Sequence, residues 1–482
     1  MFDATFPGYT PAYELRRMIG DKELSPVELV EATLRRIDAD NSKLGSYITV
    51  IGDEAIEAAR VAETAVMRGD KLGPLHGIPV PIKDLEGVAG VRLTHGSVPA
   101  DEISDTDALC VERIRSAGGI IIGKTNTPEF GHAGTTENTV FGPSRNPWNL
   151  KHTPGGSSGG AAVSVAAGMT SIAQGSDGGG SIRIPCAFSG IYGIKATQGR
   201  VPRRITSEHS WHPVNNSSVG PMTGTVLDSA VLLNVLSGPS PDAEYTTINE
   251  EPPDFTTALG SGVRNIKMGL SLTLGGAVVD SEVANSVLKA AEVFSELGAE
   301  VEEVDFRPKD NEDVMSGFLD YFCVRGYAAY GNLLKNPDKA AQLTDYFREN
   351  LENGRACSTT RYISALNLIG RCRNYTQNFF DRYNVLLTPV TAVPAFPINE
   401  PPSKIGGCVV TNRRWGFIPF TPLFNLTGNP AASIPCGFSA GGLPIGLHII
   451  GPMCDEKTVI AVSAAFEKAR PWTEHRPNLS VI

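Results

Sequence analysis

From residue 78 onward, short apolar runs alternate with stretches of helical periodicity, and this alternation restricts the fold more than any other feature of the chain. The runs at 78–83, 120–122, 170–175, 266–271, 301–306, 385–388, 432–435 and 444–450 have strand lengths. Helices are predicted between them near 107–117, 159–168, 281–297 and 455–470. Strands and helices interleaved in this way imply an α/β fold, with helices layered on a largely buried sheet. Upstream, Ser25-Pro26-Val27-Glu28 has the capping-box form with proline at the first helical position, and Val27, Val30, Leu34 and Ile37 follow at helical spacing. A helix over 26–39 and a second over 53–68 are expected there. Residues 310–380 read as helical and aromatic, with Phe318, Tyr321, Phe322, Tyr327 and Tyr330. The expected organisation is an N-terminal helical segment over 1–70 packed on an α/β body over 71–482, which carries a mostly helical insertion near 310–380.

Composition excludes several classes of function. With 41% hydrophobic and 20% charged residues the chain has ordinary globular usage. A net charge of −10 without a basic run disfavours binding to nucleic acid or to an acidic membrane surface. No apolar stretch approaches the roughly 18 residues of a membrane span, and the N-terminus has no basic segment leading into an apolar core, so a cytoplasmic protein is expected. The eight cysteines (110, 186, 323, 357, 372, 408, 436 and 454) are dispersed without a C-x-x-C pair, which reads as reduced and mostly buried thiols.

Two short motifs match expressions whose structural context is missing. Gly118-Gly119-Ile120-Ile121-Ile122-Gly123-Lys124-Thr125 satisfies the phosphate-loop expression, but the strand-like isoleucines lie inside the would-be loop and Pro128 follows, so a buried strand and turn is expected. Gly155-Gly156-Ser157-Ser158-Gly159 satisfies G-x-S-x-G, yet Lys151-His152-Thr153-Pro154 cannot form the hydrophobic strand that precedes a nucleophile elbow. The late histidines serve no better, since His448 sits in a strand run and His475 in the tail. His209 and His212 have the spacing of one helical face, but Pro213 and polar neighbours indicate a loop and no further ligand accompanies them, so no metal site is predicted.

Glycine is concentrated at 155–180, where 9 of 26 residues are glycine, about 35% against about 11% for the chain. Such density marks a place where backbone approaches backbone or ligand closely. A helix after Ser157 carries the chain away and a strand over 170–175 returns it, so Ser157 and Ser181 can meet in space. Asp177-Gly178-Gly179-Gly180 then offers successive unobstructed N–H groups, suited to an anion or oxyanion.

The whole segment 155–185, GGSSGGAAVSVAAGMTSIAQGSDGGGSIRIP, resembles the signature of the amidase signature family of Ser-Ser-Lys hydrolases. Ile82-Lys83-Asp84 supplies the family's upstream lysine, and the runs 420–431 and 442–447 resemble its C-terminal landmarks, so the resemblance covers roughly 25–470. It implies a large mixed β-sheet flanked by α-helices and no cofactor or metal. It also implies a catalytic set in which Ser181 is the nucleophile, Ser157 the bridging serine and Lys83 the base. The backbone N–H groups of Gly178, Gly179, Gly180 and Ser181 would hold the oxyanion, Ser158, Asp177 and Arg183 would support the loop, and the peptide before Ser157 would be cis.

A lysine with an unperturbed pKa near 10.4 is only about 0.04% neutral at pH 7, so Lys83 must be desolvated to act as a base. Asp84, next along an extended chain, should face the other way. The implied activity is hydrolysis of aryl or alkyl amides through an acyl-enzyme. Carbamates or esters, and service within an amidotransferase that includes a partner chain, are the alternatives.

Position 178 departs from the family's usual Thr or Ile, implying a wider pocket, and Ile184 replaces the glutamine common in the family's amidotransferase members. With the F-N-L-T-G-N-P run at 424–430, these place the chain nearer free-standing acylamidases, including aryl-amide and nylon-oligomer hydrolases. Tyr321, Phe322 and Cys323 in the helical region, and Trp415 and Phe420 before the C-terminal landmark, are the candidate substrate contacts, although aromatic side chains pack cores as readily as they line pockets. The expected partner is a small-molecule amide, with a homodimer common in the family.

Overall fold

The computed structural model describes residues 2–204, 215–309 and 311–479; His209, His212 and Pro213 lie outside them. Ser25 caps helix α1 (Pro26–Leu44) with its hydroxyl, which accepts from the Val27 N–H, while the Glu28 carboxylate accepts from the Ser25 N–H. Strand β1 (Tyr47–Val50) and helix α2 (Gly52–Arg68) follow, then β2 (Pro79–Lys83) and β3 (Ile120–Thr125). β3 is the middle of a three-stranded sheet, antiparallel to β1 and parallel to β2. Residues 120–125 of the phosphate-loop match therefore form a wholly buried strand, and Lys124 is paired with the buried Asp84 at 2.7 Å.

The glycine-rich segment forms helix α3 (Gly159–Ala166), β4 (Ile172–Asp177) and helix α4 (Arg183–Ser189), followed by β5 (Tyr192–Lys195), β6 (Ser218–Thr223) and β7 (Lys267–Leu270). After α5 (Ser281–Glu296) and β8 (Glu300–Glu303) come the helices α6 (Asn311–Tyr330), α7 (Asp345–Ala356) and α8 (Thr359–Phe380). The chain ends with β9 (Val385–Pro389), β10 (Ala431–Phe438), β11 (Pro444–Ile450) and α9 (Glu456–Ala469). The main sheet has eight strands in the order β8-β7-β9-β11-β10-β5-β6-β4; β7 is parallel to both its neighbours and the remaining pairs are antiparallel. The fold is the mixed α/β sheet flanked by helices that the resemblance implies.

Strand alternation divides the core. Leu387 and Ile449 face α5 and α9, where Val287, Phe294, Val459 and Phe466 cover them, while Leu386 and Ile450 face an aromatic core containing Phe306, Phe318, Phe417 and Phe424. Phe306 explains why the run at 301–306 looked like a longer strand. Pairing stops at Glu303, and Phe306 is apolar because it packs edge-on against Phe379. The thiols also differ from expectation: only Cys110, Cys186, Cys323 and Cys372 are buried. Cys408 is exposed on a two-residue ladder with Lys404–Ile405, and Cys454 in a loop. No helix among the described residues is long and apolar enough to cross a membrane.

Candidate active site

Lys83 ends β2 with its side chain wholly inside the protein. Its N–H donates to Gln174 Oε1 at 2.9 Å, which ties β2 to β4, and its Nζ donates to Ser157 Oγ at 2.7 Å and Ser176 Oγ at 3.2 Å. Asp84 is turned away, accepting from Lys124 Nζ, from the Thr94 N–H and from Thr94 Oγ1. Among the described residues no carboxylate bonds Lys83. Burial pulls its pKa down to about 7; the more distant carboxylates of Glu86 and Asp177 oppose the shift and Arg203 adds to it.

Glycine at the turn before α3 is a steric requirement. A Cβ on Gly156 would lie 2.4 Å from the Thr135 carbonyl oxygen, and one on Gly160 2.4 Å from the Asn126 nitrogen. The Gly156–Ser157 peptide is cis. Because α3 is built from Gly, Ala, Ser and Val, every one of its positions is buried. This close packing lets the Ser158 N–H donate to the Ser181 carbonyl at 3.1 Å, joining the two ends of the segment. Ser158 Oγ both donates to the Ser176 carbonyl and accepts from the Ser176 N–H, at 3.1 and 3.2 Å.

Asp177 organises the loop that follows. Its carboxylate accepts from the Gly180 N–H at 2.7 Å, the Ile182 N–H at 3.2 Å, and Arg183 Nε and Nη2 at 2.9 and 2.8 Å. Burial alone would raise its pKa, but the Arg183 charge, its hydrogen bonds and Asn425 outweigh burial and hold the carboxyl far below the usual carboxylate range. Arg183 in turn donates to the Thr421 carbonyl, and its Nη1 meets His448 Nε2 at 3.0 Å, so His448 is part of this support. Asp177→Asn would leave the guanidinium buried without its counter-charge. We expect it to cost about 3–5 kcal/mol of stability, measurable by denaturant unfolding against wild type.

Gly180 departs from the expected row of oxyanion donors, because its N–H is taken by Asp177. The N–H groups of Gly178, Gly179 and Ser181 donate to no other group among the described residues. Their loop is held from behind, where Asn216 Nδ2 donates to the Gly178 carbonyl and Thr421 Oγ1 to the Gly179 carbonyl, each at 2.7 Å.

Ser157, Ser176, Gly178, Gly179 and Ser181 share the wall of a cleft of about 1000 Å³, its open mouth included. Of the aromatic candidates, Phe322 and Trp415 line it. Tyr321, Cys323 and Phe420 do not line it; they are buried in the packing around α6. On α6 the cleft is lined by Phe318, Phe322, Arg325, Gly326, Ala329 and the terminal Tyr330, and the helical turn carries Tyr321 and Cys323 to either side of the Phe318–Phe322–Arg325 stripe. Ile184 also lines the cleft, and a Cβ on Gly178 would meet nothing nearer than the Ser217 Cβ at 3.8 Å.

Sequence reasoning passed over Ser176, although Gln174 and Ser176 alternate on β4 toward Lys83. It also passed over His132, which lines the cleft against Phe322 with ring centroids 4.3 Å apart and stays uncharged, its pKa pulled down to about 3 by burial and by Arg325. No local pattern marks that histidine.

A family model described as Amidase matches residues 28–460. The chain is 35% identical to an acylamidase of Rhodococcus erythropolis over 98% of each chain. It is 34% identical to a glutamyl-tRNA(Gln) amidotransferase component of Carboxydothermus hydrogenoformans, over 98% of this chain and 99% of the relative. Among solved structures, a bacterial aryl acylamidase superposes with a TM-score of 0.91 at 34% identity, covering 97% of both chains. The 6-aminohexanoate cyclic dimer hydrolase complexed with substrate superposes with a TM-score of 0.85 at 26% identity, over 98% of this chain and 99% of the other.

Proposed function

The chain belongs to the amidase family, and on that premise we propose that it hydrolyses the C–N bond of aryl or alkyl amides through an acyl-enzyme on Ser181. The observation that carries this reading is the 2.7 Å hydrogen bond between Lys83 Nζ and Ser157 Oγ, made in a fully buried setting with no carboxylate partner for the lysine among the described residues. A lysine with a pKa drawn down to about 7 is neutral often enough near neutral pH to serve as a general base.

In the proposed cycle, neutral Lys83 takes the Ser157 proton as Ser157 takes that of Ser181, and Ser181 Oγ attacks the amide carbonyl. The N–H groups of Gly178, Gly179 and Ser181 receive the developing oxyanion. The relayed proton passes to the leaving amine, and water then cleaves the acyl-enzyme by the same route. The shared cleft of Ser157 and Ser181 and the Ser158–Ser181 backbone bond support this assignment.

The identity with the glutamyl-tRNA(Gln) amidotransferase component favours a second reading, in which the chain releases ammonia for a partner. Incubating the purified chain alone with anilides and aliphatic amides discriminates the two. Release of amine, together with a fluorophosphonate adduct mapped to Ser181 by mass spectrometry, is the expected result. Inertness toward all simple amides would reject hydrolase action by the isolated chain.

A further inference from the structure

Arg325 enters the cleft from the same face of α6 as Phe318 and Phe322, and no carboxylate among the described residues pairs with it. Its Nη1 donates to Asn216 Oδ1, and its guanidinium lies 5.6 Å from the centre of the Tyr321 ring. Arg203, which also lines the cleft, is paired with Glu86, and Glu244 accepts from Asn215 Nδ2. The charge of Arg203 is thus matched within the protein, whereas the partners of Arg325 among the described residues are neutral. An arginine has five N–H donors in a fork suited to a carboxylate, and Arg325 presents its fork half-buried in the cleft wall.

Its location relative to the chemistry is fixed by Asn216. That buried amide accepts from Arg325 and donates to the Gly178 carbonyl, so the guanidinium stands one side chain away from the loop assigned to the oxyanion. Phe318, Phe322 and Trp415 line the cleft beside it with apolar surface.

Resting on the hydrolase reading above, we propose that the substrate is an amide bearing a carboxylate, which Arg325 binds while Asn216 holds the guanidinium in place and the aromatic wall takes the group across the scissile bond. Arg325 is then a specificity-determining residue.

Three probes test this: succinanilic acid, with the anion on the acyl side; 4-butyramidobenzoate, with the anion on the amine side; and neutral butyranilide. Wild type is expected to favour at least one anion over butyranilide by about tenfold or more in kcat/KM, the range of a charge-assisted hydrogen bond. The same ratio should collapse in Arg325→Gln, which retains a donor toward Asn216, and recover in part in Arg325→Lys. Each ratio is read within one variant, so a general loss of activity cancels. A smaller ratio in wild type, or one that survives in Arg325→Gln, overturns the proposal.

Calorimetric binding of the three probes to Ser181→Ala separates this proposal from the reading beneath it. Anion-selective binding without turnover by wild type would reject hydrolysis and support the anion site. Turnover of all three probes with equal efficiency would support hydrolysis and reject the anion site.

Discussion

Ser181→Ala is expected to lower kcat for every amide substrate by on the order of 10⁴-fold or more, with a far smaller change in KM. The size of the loss follows from the division of labour in the cleft. On the proposed mechanism no acyl-enzyme forms without the hydroxyl, and what survives is polarisation of the carbonyl by the Gly178, Gly179 and residue 181 N–H groups, which the substitution leaves in place. The architecture should survive as well. Ser181 contributes its carbonyl, not its hydroxyl, to the bond with the Ser158 N–H, and its side chain is only partly buried. Steady-state kinetics with an anilide, beside a thermal melt of the same preparation, provides the check. Loss of activity with an unchanged melting temperature is the expected pair of results. Activity within tenfold of wild type would show that Ser181 is not the nucleophile and would shift attention to Ser157 or Ser176, whose hydroxyls bond Lys83.

How much of this was legible in the sequence depended on whether the signal was local. The capping box at Ser25 and the alternation of apolar runs are local, and helix and strand formed where those patterns lie. The glycine density at 155–180 was readable as close approach, and Gly156 and Gly160 show what is approached, namely the backbones of Thr135 and Asn126. The meeting of Lys83 with Ser157, 74 residues apart, is long-range, and only the resemblance to a known family brought the two together beforehand. Gly180 was misassigned for a related reason. Four consecutive bare N–H groups look equivalent on paper, and the turn of the Asp177 carboxylate, invisible in sequence, removes one of them. Two of the candidates on α6 turned on phase. The spacing of Phe318, Phe322 and Arg325 was present, but nothing in the chain says which stripe of α6 faces the cleft, so Tyr321 and Cys323 were as eligible as Phe322.

The second large effect is expected at Lys83, where it carries a distinctive dependence on pH. If neutral Lys83 is the base, kcat/KM of wild type should rise about tenfold per pH unit below the lysine's pKa and level off above it, with the bend near the value of about 7 that burial imposes. Lys83→Met removes the base while keeping an unbranched chain of similar length, so the wholly buried site is not emptied as it would be by alanine. We expect kcat/KM at pH 8 to fall by roughly 10³- to 10⁴-fold and the remaining activity to lose the bend near 7.

Stability supplies the control. The folded-state pKa of Lys83 lies below its unfolded value of 10.5, so the unfolded chain binds more protons between those limits and burial of the lysine costs most at and below pH 7. That cost fades as pH rises through the interval. Methionine never incurs it, so the variant should melt no lower than wild type at pH 7. A variant that is inactive but at least as stable as wild type separates loss of the base from loss of the fold. A pH profile that keeps its bend near 7 in Lys83→Met would assign the titration to another group and remove Lys83 from the mechanism.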